Sequence, residues 1–356
     1  RAALSPKCEV ISVRTLSGTG LQPVPRRPRH PPTRDGQHTG DGGMASWHSC
    51  VSEPTVAVGG GLRLQGRAAL FWRRDELTGK HIMRITSTGN DRVKHVVRLR
   101  NRRARDRAGE IVIEGYRPLW RALESNYPVR DLYICPDWFQ GENEPALVDR
   151  FVSRGTVVIE VASEAFCKMA YRDRPEGLLG VGPQVRQGLD DIPRSANPLL
   201  LVAEAIEKPG NLGTILRSAD AVAADAVIVC DEKTDLFNPN VVRASIGTLF
   251  TVPVVVGDSA ATQAWLRARG VRIVATTPHT DTVFTEIDLS QPAALVVGTE
   301  QYGLSPTWLA AADDKVRIPM LGSADSLNVA TATTLLLYEA VRQRGTGKER
   351  SIESKT

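Results

Sequence analysis

The sequence predicts an α/β protein whose C-terminal part is a parallel sheet covered by helices on both faces. From residue 199 onward, near-continuous runs of Val, Ile and Leu alternate with stretches of helical periodicity. The hydrophobic fraction of 42% is ordinary for a globular protein. No run of apolar residues approaches the length that a membrane span needs, so no membrane partner is expected. The 356 residues suffice for two or three domains.

Two α/β units are predicted in succession, and a polar linker over 184–198 separates them. The first unit occupies 83–183, with a helix predicted over 118–124. Its strands are predicted at 111–115, 132–136, 156–161 and 178–182. The second unit occupies 199–345, and a polar tail over 346–356 follows it. Its strands are predicted at 199–204, 226–231, 251–256, 271–277, 293–298 and 315–319. Its helices are predicted over 211–223 and from about residues 240, 262, 306 and 326.

Positive charge is concentrated near the N-terminus, although the formal net charge of the whole chain is only +5. Residues 1–82 hold 12 Lys/Arg and 6 Asp/Glu and include a Pro-, Gly- and Arg-rich stretch over 23–43. Such a composition cannot bury enough apolar surface to offset its ordering entropy, so a disordered extension is expected. A targeting peptide is the alternative interpretation.

The second basic block, residues 83–107, differs in kind. It holds nine Lys/Arg and two Asp/Glu, with Val93, Val96 and Val97 at helical spacing. A solvated Arg-rich helix is one interpretation, and a surface that contacts nucleic-acid phosphates is the other and the favoured one. The rest of the chain, from residue 108 onward, is acidic on balance.

The five cysteines are scattered, and the sequence contains no CxxC pair. This usage indicates a reducing, cytoplasmic compartment without a disulfide framework or structural zinc. The six histidines are isolated from one another, so no metal site is expected.

Three segments at predicted strand ends carry unusual polar and glycine residues, namely 204–220, 296–306 and 317–340. Open parallel sheets bind their ligands at the carboxyl ends of the strands. A dinucleotide site is disfavoured because no GxGxxG follows a strand, and no P-loop is present.

These three segments resemble the three motifs of the SpoU family of RNA ribose 2′-O-methyltransferases, which belongs to the SPOUT class. The first motif matches at Asn211, Gly213 and Arg217. The second matches at Gly298-Thr299-Glu300 and Gly303-Leu304-Ser305. The third matches at Ile318-Pro319-Met320, Gly322, Ser326-Leu327-Asn328-Val329-Ala330 and Tyr338-Glu339. The resemblance covers about 84–344 and leaves 1–82 without a counterpart.

The resemblance implies a C-terminal SPOUT domain with a trefoil knot, preceded by an L30e-like RNA substrate-binding domain. It also implies S-adenosyl-L-methionine as cofactor, a homodimer formed by the C-terminal domain, and an RNA partner. Ribosomal RNA is favoured over transfer RNA, because a dedicated N-terminal domain fits the ribosomal members better. A non-catalytic RNA-binding protein on the same scaffold is the competing hypothesis.

Catalytic roles are implied for Arg217, Asn211, Glu300, Ser326 and Asn328. Arg217 is a poor general base, so it is expected to bind phosphate, orient the ribose and stabilise the developing alkoxide. Asn211 would position Arg217, and Glu300 would orient Arg217 or another basic group. From the residues alone, Asn211 and Ser326 are also typical helix N-caps, and Arg217 could pair with Asp220.

Cofactor contacts are implied for Gly298, Ile318, Leu327, Thr277, Gly303 and Met320. For Gly298, a close approach of the backbone to the adenosyl group is expected, where a Cβ would collide. RNA contacts are expected from arginines of the basic block and from three sites further along the chain. They are Arg98, Arg100, Arg102, Arg103, Arg117, Arg172 and Arg243.

Overall fold

The computed structural model describes residues 70–74 and 81–345. The first α/β unit contains one six-stranded sheet. Its strands are β1 (Leu70–Arg74), β2 (His81–Ile85), β3 (Glu110–Glu114), β4 (Asp131–Ile134), β5 (Val157–Val161) and β6 (Leu178–Pro183). They are ordered β1-β2-β5-β4-β6-β3. Its helices are α1 (Asp91–Arg98), α2 (Arg102–Ala108), α3 (Tyr116–Glu124), α4 (Glu144–Ser153) and α5 (Ser163–Met169).

Regular structure in the described residues begins upstream of residue 83. Strands β1 and β2 pair as an antiparallel hairpin, and β2 also pairs in parallel with β5, with Met83 opposite Ile159. The hairpin therefore includes residues that we assigned to a disordered extension. The rest of that extension, 1–69 and 75–80, lies outside the described residues, as does the predicted tail over 346–356.

The basic block forms two short helices, α1 and α2. Val93 and Val96 are buried on the inner side of α1, as their spacing predicts. Asn101 begins α2, because its side chain accepts a hydrogen bond from the Arg103 amide. Arg105 of α2 is buried with only 1% of its surface exposed, so the block is not a uniformly solvated surface.

The second α/β unit contains a six-stranded sheet in which every strand pairing is parallel. Its strands are β7 (Leu199–Glu204), β8 (Ala226–Cys230), β9 (Val254–Gly257), β10 (Arg272–Thr276), β11 (Ala293–Val297) and β12 (Asp314–Val316). They are ordered β12-β10-β11-β7-β8-β9. Its helices are α6 (Pro209–Ala221), α7 (Pro239–Ala244), α8 (Ser259–Ala268), α9 (Pro306–Ala311) and α10 (Val329–Arg344). The predicted parallel sheet is confirmed.

A shared core joins the two sheets. One hydrophobic cluster contains Leu119 of α3 together with Leu212 and Leu216 of α6. Gly247 adopts a left-handed conformation with φ of 87°, and a Cβ at this position would lie 2.6 Å from the Cα of Pro118. The contact between the two units therefore needs glycine at residue 247.

A buried ion pair also crosses between the units, from Arg105 of α2 to Asp235 of the loop after β8. The Arg105 guanidinium donates further hydrogen bonds to the carbonyl oxygens of Leu99 and Arg100, both at 2.8 Å. The predicted linker packs on the second sheet, where Ile192 is buried. The relative orientation of the two sheets is therefore set by packing as well as by chain connection.

Three general observations concern the described residues only. None of their helices is both long and apolar enough to span a bilayer. Within 70–74 and 81–345, no group of three His, Cys, Asp or Glu side chains could hold a metal ion. Cys135, Cys167 and Cys230 are free thiols.

Candidate active site

The three motif segments meet at the carboxylate of Glu300, which follows β11. The side-chain amides of Asn211 and Asn328 each donate to its Oε1 at 2.6 Å. Asn328 Nδ2 also lies 3.1 Å from Asn211 Oδ1. Residues separated by up to 117 positions in the chain thus form one polar cluster at the carboxyl edge of the sheet.

Local helix geometry leaves these two amides available. Helix α6 begins at Pro209, so Asn211 lies in its first turn and is not its N-cap. Asn328 does cap α10, because its Oδ1 accepts from the Ala330 amide at 3.0 Å while its Nδ2 reaches Glu300. Ser326 is exposed in the preceding loop, so its alternative interpretation as the N-cap is wrong.

Lys208 also joins the cluster, and sequence reasoning missed it. Its ammonium donates to Glu300 Oε2. This hydrogen bond is the main reason that the pKa of Glu300 is lowered from its ordinary value, and the pKa of Lys208 is raised in return. Its position three residues before Asn211, at the start of a helix, is the signal that could have identified it.

A cavity of about 360 Å³ lies beside the cluster. Its lining includes Glu300 and Ser326. The hydroxyl of Thr276, at the end of β10, is buried in this lining and has no hydrogen-bond partner. All six predicted cofactor residues line the same cavity, namely Gly298, Ile318, Leu327, Thr277, Gly303 and Met320.

The need for glycine at residue 298 has a different cause from the one expected. A Cβ there would lie 2.2 Å from the carbonyl oxygen of Gly303. The backbones of Thr299 and Gly303 exchange two hydrogen bonds of 3.0 and 3.1 Å, which bring the chain back across Gly298. The collision is therefore with the protein's own turn, and Gly298 shapes the cavity wall by allowing that turn.

Arg217 lies apart from the cluster. It is exposed on α6 and contacts neither Glu300 nor Asn211. Within the described part of the chain, its side chain makes no hydrogen bond or ion pair. Within one chain Asn211 therefore does not contact Arg217, and the basic partner of Glu300 is Lys208. The pairing of Arg217 with Asp220 is wrong, since Asp220 accepts from Thr251 at 2.6 Å.

The predicted RNA-binding arginines are not one set of equivalent surface cations. Arg102 pairs with Glu232 at 2.8 Å, and Arg172 is half-buried against Glu176. Arg100 donates to the carbonyl oxygens at the end of α5. Arg98, Arg103, Arg117 and Arg243 are exposed, and so are Arg100 and Arg102 in spite of their contacts.

Comparison with known proteins identifies the family. Residues 198–338 match the SpoU rRNA Methylase family. The 23S rRNA (uridine(2479)-2′-O)-methyltransferase of Streptomyces viridochromogenes is 36% identical over 274 residues, which are 74% of this chain and 94% of that protein. The chain belongs to the SpoU rRNA methylase family. Residues 90–180 of this SpoU family member match the MRM3-like substrate binding domain.

Solved structures of SpoU proteins have the same fold as this chain. An AdoMet-bound rRNA methyltransferase from Sinorhizobium meliloti is 33% identical with a TM-score of 0.67, covering 73% of this chain and 98% of that one. The SpoU methyltransferase AviRb from Streptomyces viridochromogenes, in complex with AdoMet, is 36% identical with a TM-score of 0.65. That match covers 72% of this chain and 99% of AviRb. The α/β fold with its parallel sheet is thus the fold of these SpoU proteins.

Proposed function

We propose that this chain uses S-adenosyl-L-methionine to methylate a ribose 2′-hydroxyl in ribosomal RNA. The observation that carries the proposal is the meeting of the three motif segments at Glu300, beside a cavity lined by all six predicted cofactor residues. Relatives whose names state 23S rRNA 2′-O-methyltransferase activity support the substrate class.

The cavity suits the cofactor in size and chemistry. Its volume of about 360 Å³ falls within the range of small-molecule sites, roughly 300–1,000 Å³. Ile318, Leu327 and Met320 offer apolar contacts to an adenine ring. The partnerless Thr276 hydroxyl offers a hydrogen bond to a polar group of the ligand. When bound, the cofactor supplies a methyl group that is activated by its positively charged sulfur.

The residues of the chain position the acceptor. With the cofactor bound, these residues would hold the ribose 2′-oxygen in line with the activated methyl group, which would pass to that oxygen as its bond to sulfur breaks. The hydroxyl proton would leave through Arg217 or to water. We assign to Arg217 the binding of the adjacent phosphate and stabilisation of the developing oxyanion. Asn211, Asn328 and Glu300 hold the ends of α6 and α10 at the cavity, and Ser326 offers a hydroxyl on its wall.

The proposal includes a homodimer through the C-terminal domain, and the position of Arg217 supports it. Leu335 and Tyr338 of α10 are 41% and 52% exposed, although α10 packs against α6 through the 2.7 Å contact of Ser218 with Thr334. A second copy of the chain would cover these apolar side chains. The same association would let Arg217 serve the cavity of the partner subunit.

Two finer features of the fold belong to the proposal. The first is the trefoil knot, supported by the path of the chain after β12. Arg317 is bonded on both sides to the loop after β10, through the Thr282 carbonyl and the Phe284 amide. The chain then crosses the sheet to pack α10 against α6. The second is an L30e-like domain over 83–183 that selects the RNA. We also propose that the protein acts in the cytoplasm.

Transfer of a labelled methyl group to RNA tests the proposed function. The purified protein is incubated with methyl-labelled S-adenosyl-L-methionine and either 23S ribosomal RNA or transfer RNA, both transcribed without modifications. Label at a ribose 2′-oxygen of the ribosomal transcript is expected. Transfer only to transfer RNA would change the substrate class. RNA binding without transfer to any RNA and without cofactor binding would favour a non-catalytic RNA-binding protein.

A further inference from the structure

The rim of the cavity carries an aromatic side chain to which none of the motifs assigns a role. Tyr302 lines the cavity, yet 78% of its surface is exposed. Tyrosine is enriched at interfaces because its ring buries a large apolar area while its hydroxyl can stay hydrated. The position therefore suits a residue that is covered when a ligand binds.

The backbone beneath Tyr302 is fixed. The two hydrogen bonds between Thr299 and Gly303 close the turn, and the Tyr302 amide donates to the Thr299 hydroxyl at 2.9 Å. Gly303 supplies the left-handed conformation, with φ of 68°, that the turn requires. Because the turn is already ordered, little backbone entropy is lost when a ligand packs on the ring.

We infer that the Tyr302 ring stacks on the base of the nucleotide whose ribose enters the cavity. The inference rests on the proposed function. The base is joined to the ribose carbon next to the one that bears the 2′-hydroxyl, so it lies at the mouth of the cavity when the hydroxyl is inside. Exposed bases of RNA are recognised by stacking on aromatic side chains.

The charge at the rim is compatible with RNA. The carboxylate of Glu300, two residues before Tyr302, is paired with the ammonium of Lys208. RNA that approaches the Tyr302 ring therefore meets a carboxylate whose charge is neutralised by an ammonium, and electrostatic repulsion is reduced.

Four substitutions at this position distinguish stacking from other roles. Tyr302→Phe and Tyr302→Trp keep an aromatic face, Tyr302→Leu keeps apolar volume without one, and Tyr302→Ala removes both. Base–aromatic stacking is worth about 1–3 kcal/mol, so Ala and Leu should raise KM for unmodified 23S RNA roughly 5- to 150-fold. Phe and Trp should stay within about threefold of wild type. Affinity for S-adenosyl-L-methionine, measured by calorimetry, should be unchanged in all four.

Several results would overturn the inference. Loss of cofactor affinity in Tyr302→Ala would mean that the ring covers the cofactor. A change of oligomeric state, measured by light scattering, would mean that it packs against a second copy. Full activity in Tyr302→Ala would show that the ring stacks on nothing needed for transfer. If the wild-type protein transferred no methyl group to RNA, the proposed function itself would be wrong, and the inference about Tyr302 would be wrong as well.

Discussion

Replacing Glu300 with glutamine tests whether the polar cluster is needed for turnover. The carboxylate accepts two amide hydrogen bonds of 2.6 Å on Oε1 and the Lys208 ammonium on Oε2. Glutamine has one acceptor oxygen, so its NH₂ group would face either the ammonium or the two amides. Hydrogen bonds to charged groups contribute about 1.5–3 kcal/mol, against about 0.5–1.5 kcal/mol for neutral ones.

The expected loss follows from these values. Weakening the two amide contacts from the charged to the neutral range removes about 1–3 kcal/mol from the arrangement that holds α6 and α10 at the cavity. If that arrangement is required in the transition state, turnover falls roughly 5- to 150-fold. The free energy of unfolding should fall by no more than the same amount, because the side chains of Lys208 and Glu300 are 69% and 29% exposed and their ion pair adds little.

Steady-state methyl transfer and thermal unfolding measure the two effects separately. Glu207→Gln is the matched control, since Glu207 is an exposed neighbour of Lys208 whose carboxylate makes none of these contacts. It should retain activity within about twofold. Turnover of Glu300→Gln within threefold of wild type, with an unchanged melting temperature, would refute the reasoning.

The same cluster predicts a pH dependence. The pKa of Glu300 is held below its ordinary value of 4.5, chiefly by the hydrogen bond from Lys208. The contacts are therefore present at higher pH and are lost as the pH falls through this lowered pKa. Protonation of Glu300 should not limit activity at or above pH 4.5, and an acid limb near pH 6 that disappears in Glu300→Gln would contradict the assignment.

The other predictions concern turnover, folding and cofactor affinity. Arg217→Ala should abolish turnover with nearly unchanged cofactor affinity in calorimetry, and a large loss of affinity would contradict the role assigned to it. Arg105→Met leaves a buried carboxylate unpaired and should lower the free energy of unfolding by about 3–5 kcal/mol in urea titrations. The exposed Arg103→Met is its control and should change stability by less than about 0.5 kcal/mol. Gly298→Ala places a methyl group 2.2 Å from the Gly303 carbonyl and should weaken cofactor binding, so unchanged affinity would refute our account of the cavity wall.

The strands of the second sheet could be predicted from sequence because each is buried on both faces. A fully buried strand such as Leu199–Glu204 is a continuous apolar run with a clear start and end. The hairpin of β1 and β2 carries no such pattern, since its short strands mix basic and apolar residues and follow a long polar segment. Composition alone therefore placed the start of ordered structure too late.

The site could be predicted as a set of residues but not as a set of contacts. Motif resemblance located the six cavity residues, because they lie in loops that follow adjacent strands of one sheet. It did not find Lys208, whose importance comes from an ion pair with a residue 92 positions away. Nor could it show that Arg217 lies off the cluster, because its direction depends on how α6 rotates against α10.

The contacts of the arginines in the basic block, residues 83–107, could not be predicted from the sequence either. Its charge suggested one phosphate-binding surface, yet Arg105 is buried against Asp235 and Arg102 is paired with Glu232. These two arginines bind α2 to the loop after β8, and so they set the position of the first unit relative to the second. Exposed Arg98 and Arg103 on the same two helices are thereby held at a defined place relative to the parallel sheet. Positive charge in this block thus has two separable effects: the ion-paired Arg105 and Arg102 orient the first unit against the second, whereas Arg98 and Arg103 stay exposed.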